Sequence, residues 1–233
     1  MTKRKKRIAS KYALFFCLIS VSTFITSCKE KTRSLPYIGN FDLEYKEVDG
    51  QTIVDTVYPT IPQFTYFNED SSIVSNKDFR NKVWIAEFFF ATCPTICPIM
   101  NSQLKNLNRE TSNLSDHIQF LSFTINPTND KPSVLKKYRK MHGITAKNWA
   151  FLTGNEEATH RLGIENFQIF AGRDDEAVGG YAHSGAFSLV DMKGYVRGVY
   201  AVTNMDGTVN KNEYKRLKQD VIDLLKYDYQ IEK

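Results

Sequence analysis

Three features of the 233-residue sequence predict a single α/β domain in which helices pack on a mostly parallel sheet. Apolar runs of strand length alternate with helix-period segments from residue 83 to residue 162. Two further strand-like runs joined by a short turn follow at 185 to 202, and an amphipathic segment, 210 to 227, closes the chain. Parallel crossovers first and an antiparallel pair last give the order βαβαβαββα, an α/β sandwich.

The chain opens with a segment that stands apart from this domain. Lys3, Arg4, Lys5, Lys6, Arg7 and Lys11 form a basic head, an apolar run from Tyr12 to Ile25 follows, and Ile25-Thr26-Ser27-Cys28 ends it. This is the layout of a secretory signal. Its last residues resemble a lipobox, where bacterial lipoproteins are cleaved and the new N-terminal cysteine is diacylated. Residues 1–27 are therefore expected to be a lipoprotein signal peptide and Cys28 the lipidation site. The apolar run is shorter than the roughly 20 residues needed to span a bilayer, which favours a lipid over an uncleaved anchor. The expected product is an exported lipoprotein, held at a membrane by its acyl chains and facing the periplasm. Residues 28–36 form the lipidated cysteine and a polar tether, and residues 37–233 the domain.

The six basic residues of the leader exceed the whole chain's formal charge of +5, so the remainder carries −1. No nucleic-acid partner is implied by that balance.

Within the domain, Gln51 to Tyr58 and Gln63 to Phe67 have the β-branched or alternating character of an N-terminal β extension. Val83 to Phe90 is a nearly unbroken apolar run, as in a strand buried on both faces. A helical pattern follows through Ile99, Met100, Leu104, Leu107 and Leu114. Ile118 to Ile125 reads as a strand, Lys131 to Met141 as a helix with Pro132 in its first turn, and Asn148 to Leu152 as a strand. Asn155 to Leu162 is helical, Gly185 to Val190 and Tyr195 to Val202 pair as strands, and Asn210 to Tyr227 is the last helix.

The chemistry concentrates where the first strong strand becomes a helix. Cys17 leaves with the leader and Cys28 takes lipid, so Cys93 and Cys97 are the remaining thiols. A pair so close closes too small a loop to act well as a structural staple, which points to a redox or metal role. If both lie in the first helical turn, their sulfurs share one face and can share an ion. A helix N-terminus also favours thiolate. Two thiolates select soft metals, and an imidazole widens the choice to Cu(II). Of the histidines, His183 stands among Gly179, Gly180, Ser184 and Gly185 in what reads as a flexible loop at a strand end. Taken alone it is an ordinary loop histidine. His117, His142 and His160 read as solvated surface residues.

These residues resemble the SCO/SenC proteins, copper-binding assembly factors for cytochrome c oxidase. The resemblance rests on Cys93-Pro94-Thr95-Ile96-Cys97-Pro98, on Tyr181-Ala182-His183-Ser184 followed by Leu189-Val190-Asp191 and Gly194, and on Trp149-Ala150-Phe151-Leu152-Thr153-Gly154. It covers roughly residues 60 to 228. It implies a thioredoxin-like fold and one copper ion, Cu(I) or Cu(II), on Cys93, Cys97 and His183. It also implies a copper acceptor such as subunit II of cytochrome c oxidase, and an upstream copper donor. One departure is Asn126 in Asn126-Pro127-Thr128-Asn129-Asp130, where the family commonly carries a first Asp.

The rival expectation is a thiol-disulfide oxidoreductase using Cys93 and Cys97 as redox-active thiols. Against a generic thioredoxin stand the three residues between the cysteines and the lack of any proline after Pro132. A peroxiredoxin would need Thr where Phe90 stands, and a zinc-stabilised module would need a fourth ligand.

Overall fold

The structure is a computed structural model that describes residues 34–177 and 179–232. The leader, Cys28 and most of the tether lie outside the described residues. Among the described residues no helix is long and apolar enough to cross a membrane.

The expected central strand is β5 (Val83–Phe89), and all seven of its residues are buried. It lies between β6 (Ile118–Thr124), parallel to it with Val83 opposite Ile118, and β10 (Ala186–Val190), antiparallel with Val190 opposite Trp84. Beyond β6 comes β7 (Trp149–Thr153), again parallel, and beyond β10 comes β11 (Val196–Ala201), antiparallel. The expected parallel core and antiparallel finish are therefore present. The far edge is extended by β3 (Thr65–Asn68) and β4 (Ile73–Ser75), giving seven strands in the order β11-β10-β5-β6-β7-β3-β4.

The N-terminal β extension is real but divided. β1 (Asp42–Val48) and β2 (Gln51–Val57) form an exposed hairpin that pairs only with itself. The segment around Gln63 to Phe67 instead joins the main sheet as β3, because Tyr66 turns inward and its hydroxyl meets Thr159 Oγ1 at 2.9 Å.

Helices α1 (Cys97–Glu110) and α2 (Pro132–Met141) are the parallel crossovers β5 to β6 and β6 to β7, which right-handedness puts on one face. There Phe89 meets Tyr138 and Phe151, with ring centroids 5.4 and 5.5 Å apart, and Asn101 donates to the Tyr138 hydroxyl. Helix α1 ends before Leu114, which lies in a separate 3-10 turn, Ser112–His117. Helix α4 (Lys211–Asp223) joins this face, because Tyr200 donates to Asp220 at 2.9 Å and Lys218 pairs with Glu110. On the opposite face Phe88 stacks on Phe123 at 5.2 Å and meets Phe167 at 5.6 Å. Helix α3 (Glu156–Arg161) covers that face; the Asn155 side chain caps it by accepting from Ala158 N. Both α3 and α4 run on into a π turn, Leu162–Asn166 and Leu224–Asp228.

Two short strands complete the chain. β8 (Ala171–Arg173) and β9 (Tyr181–His183) pair antiparallel, with Ala171 opposite His183.

The N-terminal segment is strapped to the lower end of the sheet, where β5 begins. Buried Arg197 donates to the carbonyls of Leu35 (2.5 Å) and Pro36 (3.2 Å) and pairs with Asp191 (2.9 Å) and Asp228 (2.8 Å). Tyr37 lies over the guanidinium, 4.5 Å from ring centroid to carbon. Removing one partner of such a buried network strands the other charge. Arg197→Ala should cost about 3–5 kcal/mol, read as a lower urea midpoint with unchanged slope; an unaltered midpoint would show that the strap is not structural.

A second buried charge sits in the central strand itself. Glu87 accepts from Ser122 Oγ at 2.6 Å, Ser122 in turn accepts from Trp149 Nε1 at 2.8 Å, and Glu87 Oε2 has no hydrogen-bond partner. Burial pushes this carboxyl up from 4.5 to about 8, against the lowering effect of Ser122. A raised carboxyl favours the folded state fully below pH 4.5, and that advantage is lost as pH rises through 8. Glu87→Gln keeps the shape without the charge. Relative to wild type it should gain stability between pH 5 and pH 9, on the order of 3–5 kcal/mol. Urea midpoints at the two pH values check this, and an equal offset at both would contradict it.

Candidate metal centre

The two cysteines do not share a helical turn. Cys97 is the first residue of α1, whereas Cys93 lies in the turn before it, its N–H donating to Phe90 O at 3.1 Å. Pro94 is exposed beside it, and the sulfurs converge across the non-helical segment 93–96 and not by helical spacing.

His183 completes the cluster. Its Nε2 is 3.1 Å from Cys97 Sγ and 3.8 Å from Cys93 Sγ, and the three ligand atoms all lie within 4.8 Å of one another. The histidine is not on a flexible loop. It is the last residue of β9, held by pairing to Ala171 and by the Phe90 ring at 5.8 Å, edge to face. Two residues on, Gly185 allows the chain to pass Thr203, whose carbonyl oxygen would lie 2.0 Å from any Cβ at that position.

Nor is the cluster exposed. Cys93, Cys97 and His183 are 8%, 1% and 4% accessible. Cys93 is the edge nearest solvent, flanked by exposed Thr92, Pro94 and Thr95. The Cys97 thiol and then the His183 ring, with backbone N–H groups of Cys97 and Thr95, draw Cys93 down from 9.0 to about 3. Burial, and then the neighbouring Cys93 charge, push Cys97 well above its ordinary range. The two thiols titrate as a coupled pair, with Cys93 at the rim drawn toward thiolate and Cys97 beneath it pushed toward the protonated form.

Two carboxylates outside the donor set shape the site, Asp130 at the end of the Asn126–Asp130 block and Glu87. Asp130, fully buried, accepts from Ala91 N (2.8 Å) and Thr124 Oγ1 (2.5 Å) through Oδ2, and from Asn129 Nδ2 (2.6 Å) through Oδ1. It pins the strand exit two residues before Cys93. Asn126 shapes the turn that presents it: its carbonyl accepts from Asp130 N, and its side chain accepts from Asn129 N. The second residue is Glu87, which adds to the upward push on Cys97 and Tyr138. A charged residue inside the apolar run 83–90 was its signal in the sequence.

The other histidines stay apart from the cluster, though they are half-buried and not simply solvated. His160 Nε2 lies 2.8 Å from Ile125 O, and His142 packs on the Tyr138 ring at 4.2 Å.

Two sulfurs and one imidazole nitrogen make a soft donor set, and three ligands leave a coordination position open. Among the described residues neither cysteine forms a disulfide, and buried His183 Nδ1 has no hydrogen-bond partner. The residues present fit a soft metal ion.

Comparison with known proteins places the arrangement. The chain is 31% identical over 148 residues to the SCO1 protein homolog of Bacillus subtilis (strain 168), covering 63% of this chain and 76% of that one. A SCO1/SenC family lipoprotein from Bacillus anthracis str. Ames superposes with a TM-score of 0.61 at 29% identity, over 70% of this chain and 92% of its own. BsSco, described for its disulfide switch and as a member of the Sco family of cytochrome c oxidase assembly proteins, gives 0.58 at 28%, over 70% and 91%. These neighbours share the thioredoxin-like sandwich. The SCO1/SenC family model matches residues 55–217, which include both cysteines, Asp130 and His183, and the chain belongs to the SCO1/SenC family.

Proposed function

We propose that this chain is a lipid-tethered metallochaperone of the periplasm that holds one copper ion on Cys93, Cys97 and His183. It delivers the ion to subunit II of cytochrome c oxidase, or prepares the copper site there. The observation that carries this reading is the convergence of two sulfurs and one imidazole nitrogen within 4.8 Å, from segments 86 and 90 residues apart. Copper in both oxidation states is compatible with such donors.

The chain's own residues divide the work of capture. The Cys93 thiolate faces the rim and meets the incoming ion first. His183 Nε2 waits beside both sulfurs, and Cys97 gives up its proton as the last donor closes. Ligands of an acceptor enter at the same rim and displace the donors in turn. The oxidase as destination is supported by the description of BsSco, the lipid anchor by the description of the Bacillus anthracis relative and by the lipobox-like run before Cys28.

The protonation pattern also favours a second reading, thiol-disulfide exchange. The Cys93 thiolate would attack a client disulfide and expel one client thiolate. Cys97, losing its proton, would then attack Cys93 and release the other, leaving a Cys93–Cys97 disulfide for an external thiol to reduce.

Because residues 34–233 form one compact unit, a chain beginning at Lys29 suits the test. Anaerobic titration with Cu(I) and Cu(II) should show one ion per chain and a thiolate-to-Cu(II) charge-transfer band. Cys93→Ala, Cys97→Ala and His183→Ala should each weaken binding at least about tenfold. Unchanged copper affinity in His183→Ala, with brisk disulfide exchange, would favour the oxidoreductase instead.

A further inference from the structure

The metal centre follows the C-terminal end of β5, while the strap and the turn between β10 and β11 lie at its N-terminal end. At that lower end is a cavity of about 450 Å³ lined by Lys77, Arg80 and Lys193, with the amides of Gln63 and Asn81, and by no carboxylate. The three cations are exposed and make no ion pair among the described residues. Three unneutralised cations converging on one basin create a positive local field that attracts anions.

The basin shares its wall with the strap. Gly194, in its lining, accepts from Ile61 N at 2.8 Å, and Val196, two residues on, accepts from Ile38 N at 2.8 Å. Five residues, 29–33, lie between Cys28 and Ser34, so the six steps of chain from one to the other reach at most about 20 Å. If Cys28 carries lipid, as proposed above, this is the end of the domain that the tether keeps closest to the bilayer. We propose that the basin of Lys77, Arg80 and Lys193 binds the phosphate of an anionic phospholipid, a second membrane contact beside the acyl chains.

The inference rests on the lipid-tether reading for its location, but its test does not need the lipid. A chain beginning at Lys29 is sedimented with vesicles of phosphatidylcholine alone and of phosphatidylcholine with about one third phosphatidylglycerol. Wild type should bind the anionic vesicles and not the neutral ones. The triple variant Lys77→Gln, Arg80→Gln, Lys193→Gln should bind at least about fivefold more weakly, with copper binding and urea midpoint unchanged. Equal binding by wild type and variant, or no binding to anionic vesicles, would overturn the proposal. So would saturation by inorganic phosphate without vesicle binding, which would assign the basin to a free anion. Lipidation is read separately, by acyl labelling of the full chain against Cys28→Ser, so either reading can fail without the other.

Discussion

The burial of β5 on both faces and both edges is the constraint from which the site follows. Phe88 fills one layer, Phe89 the other, and the strand is paired along its whole length to β6. Slipping its register by one residue would exchange these faces, moving Glu87 into the phenylalanine layer with Phe123 and Phe167. The strand therefore leaves the sheet at a single place, and the turn carrying Cys93 begins there. Asp130 locks the exit by taking the Ala91 N–H, so the first sulfur is positioned by the core and not by its own loop.

The parallel core was readable because its strands are buried on both sides: predominantly apolar runs of strand length such as Val83 to Phe90 and Ile118 to Ile125 have few other uses. Strand β1 was not readable, because Asp42, Glu44, Lys46 and Glu47 interrupt its apolar residues and no core selects a face. The three metal-site residues were legible as a motif, but their geometry was not. Four-residue spacing suggested a shared helical turn, whereas the backbone bond to Phe90 places Cys93 in a turn ahead of the helix. The glycines around His183 suggested a mobile loop, yet β9 is held by a strand only three residues long, too short to register as a period. Asp130 was visible only as the last residue of the Asn126–Asp130 block; its role was not, because accepting from a backbone N–H 39 residues away leaves no local pattern.

Burial of the cluster changes how transfer must be understood. A site whose inner sulfur and imidazole are almost inaccessible does not hand over its ion from an open surface. On the proposed transfer function, exchange would start at Cys93, the donor nearest solvent, and proceed inward to Cys97 and His183. The same burial pushes the Cys97 thiol up while Cys93 is drawn down, so both proposed chemistries would draw on one asymmetry between the outer and the inner sulfur.

The sheet also fixes a direction for the molecule. β5 is seven residues long, about 23 Å at the usual rise per residue, and it separates the strap and basin from the metal centre. If Cys28 carries lipid, as proposed, that single attachment leaves the domain a range of orientations. A basin engaged with phosphate at the lower end would restrict that range and leave Cys93 facing away from the bilayer. The proposed acceptor would then present its ligands from above the domain, at a height set by the length of β5.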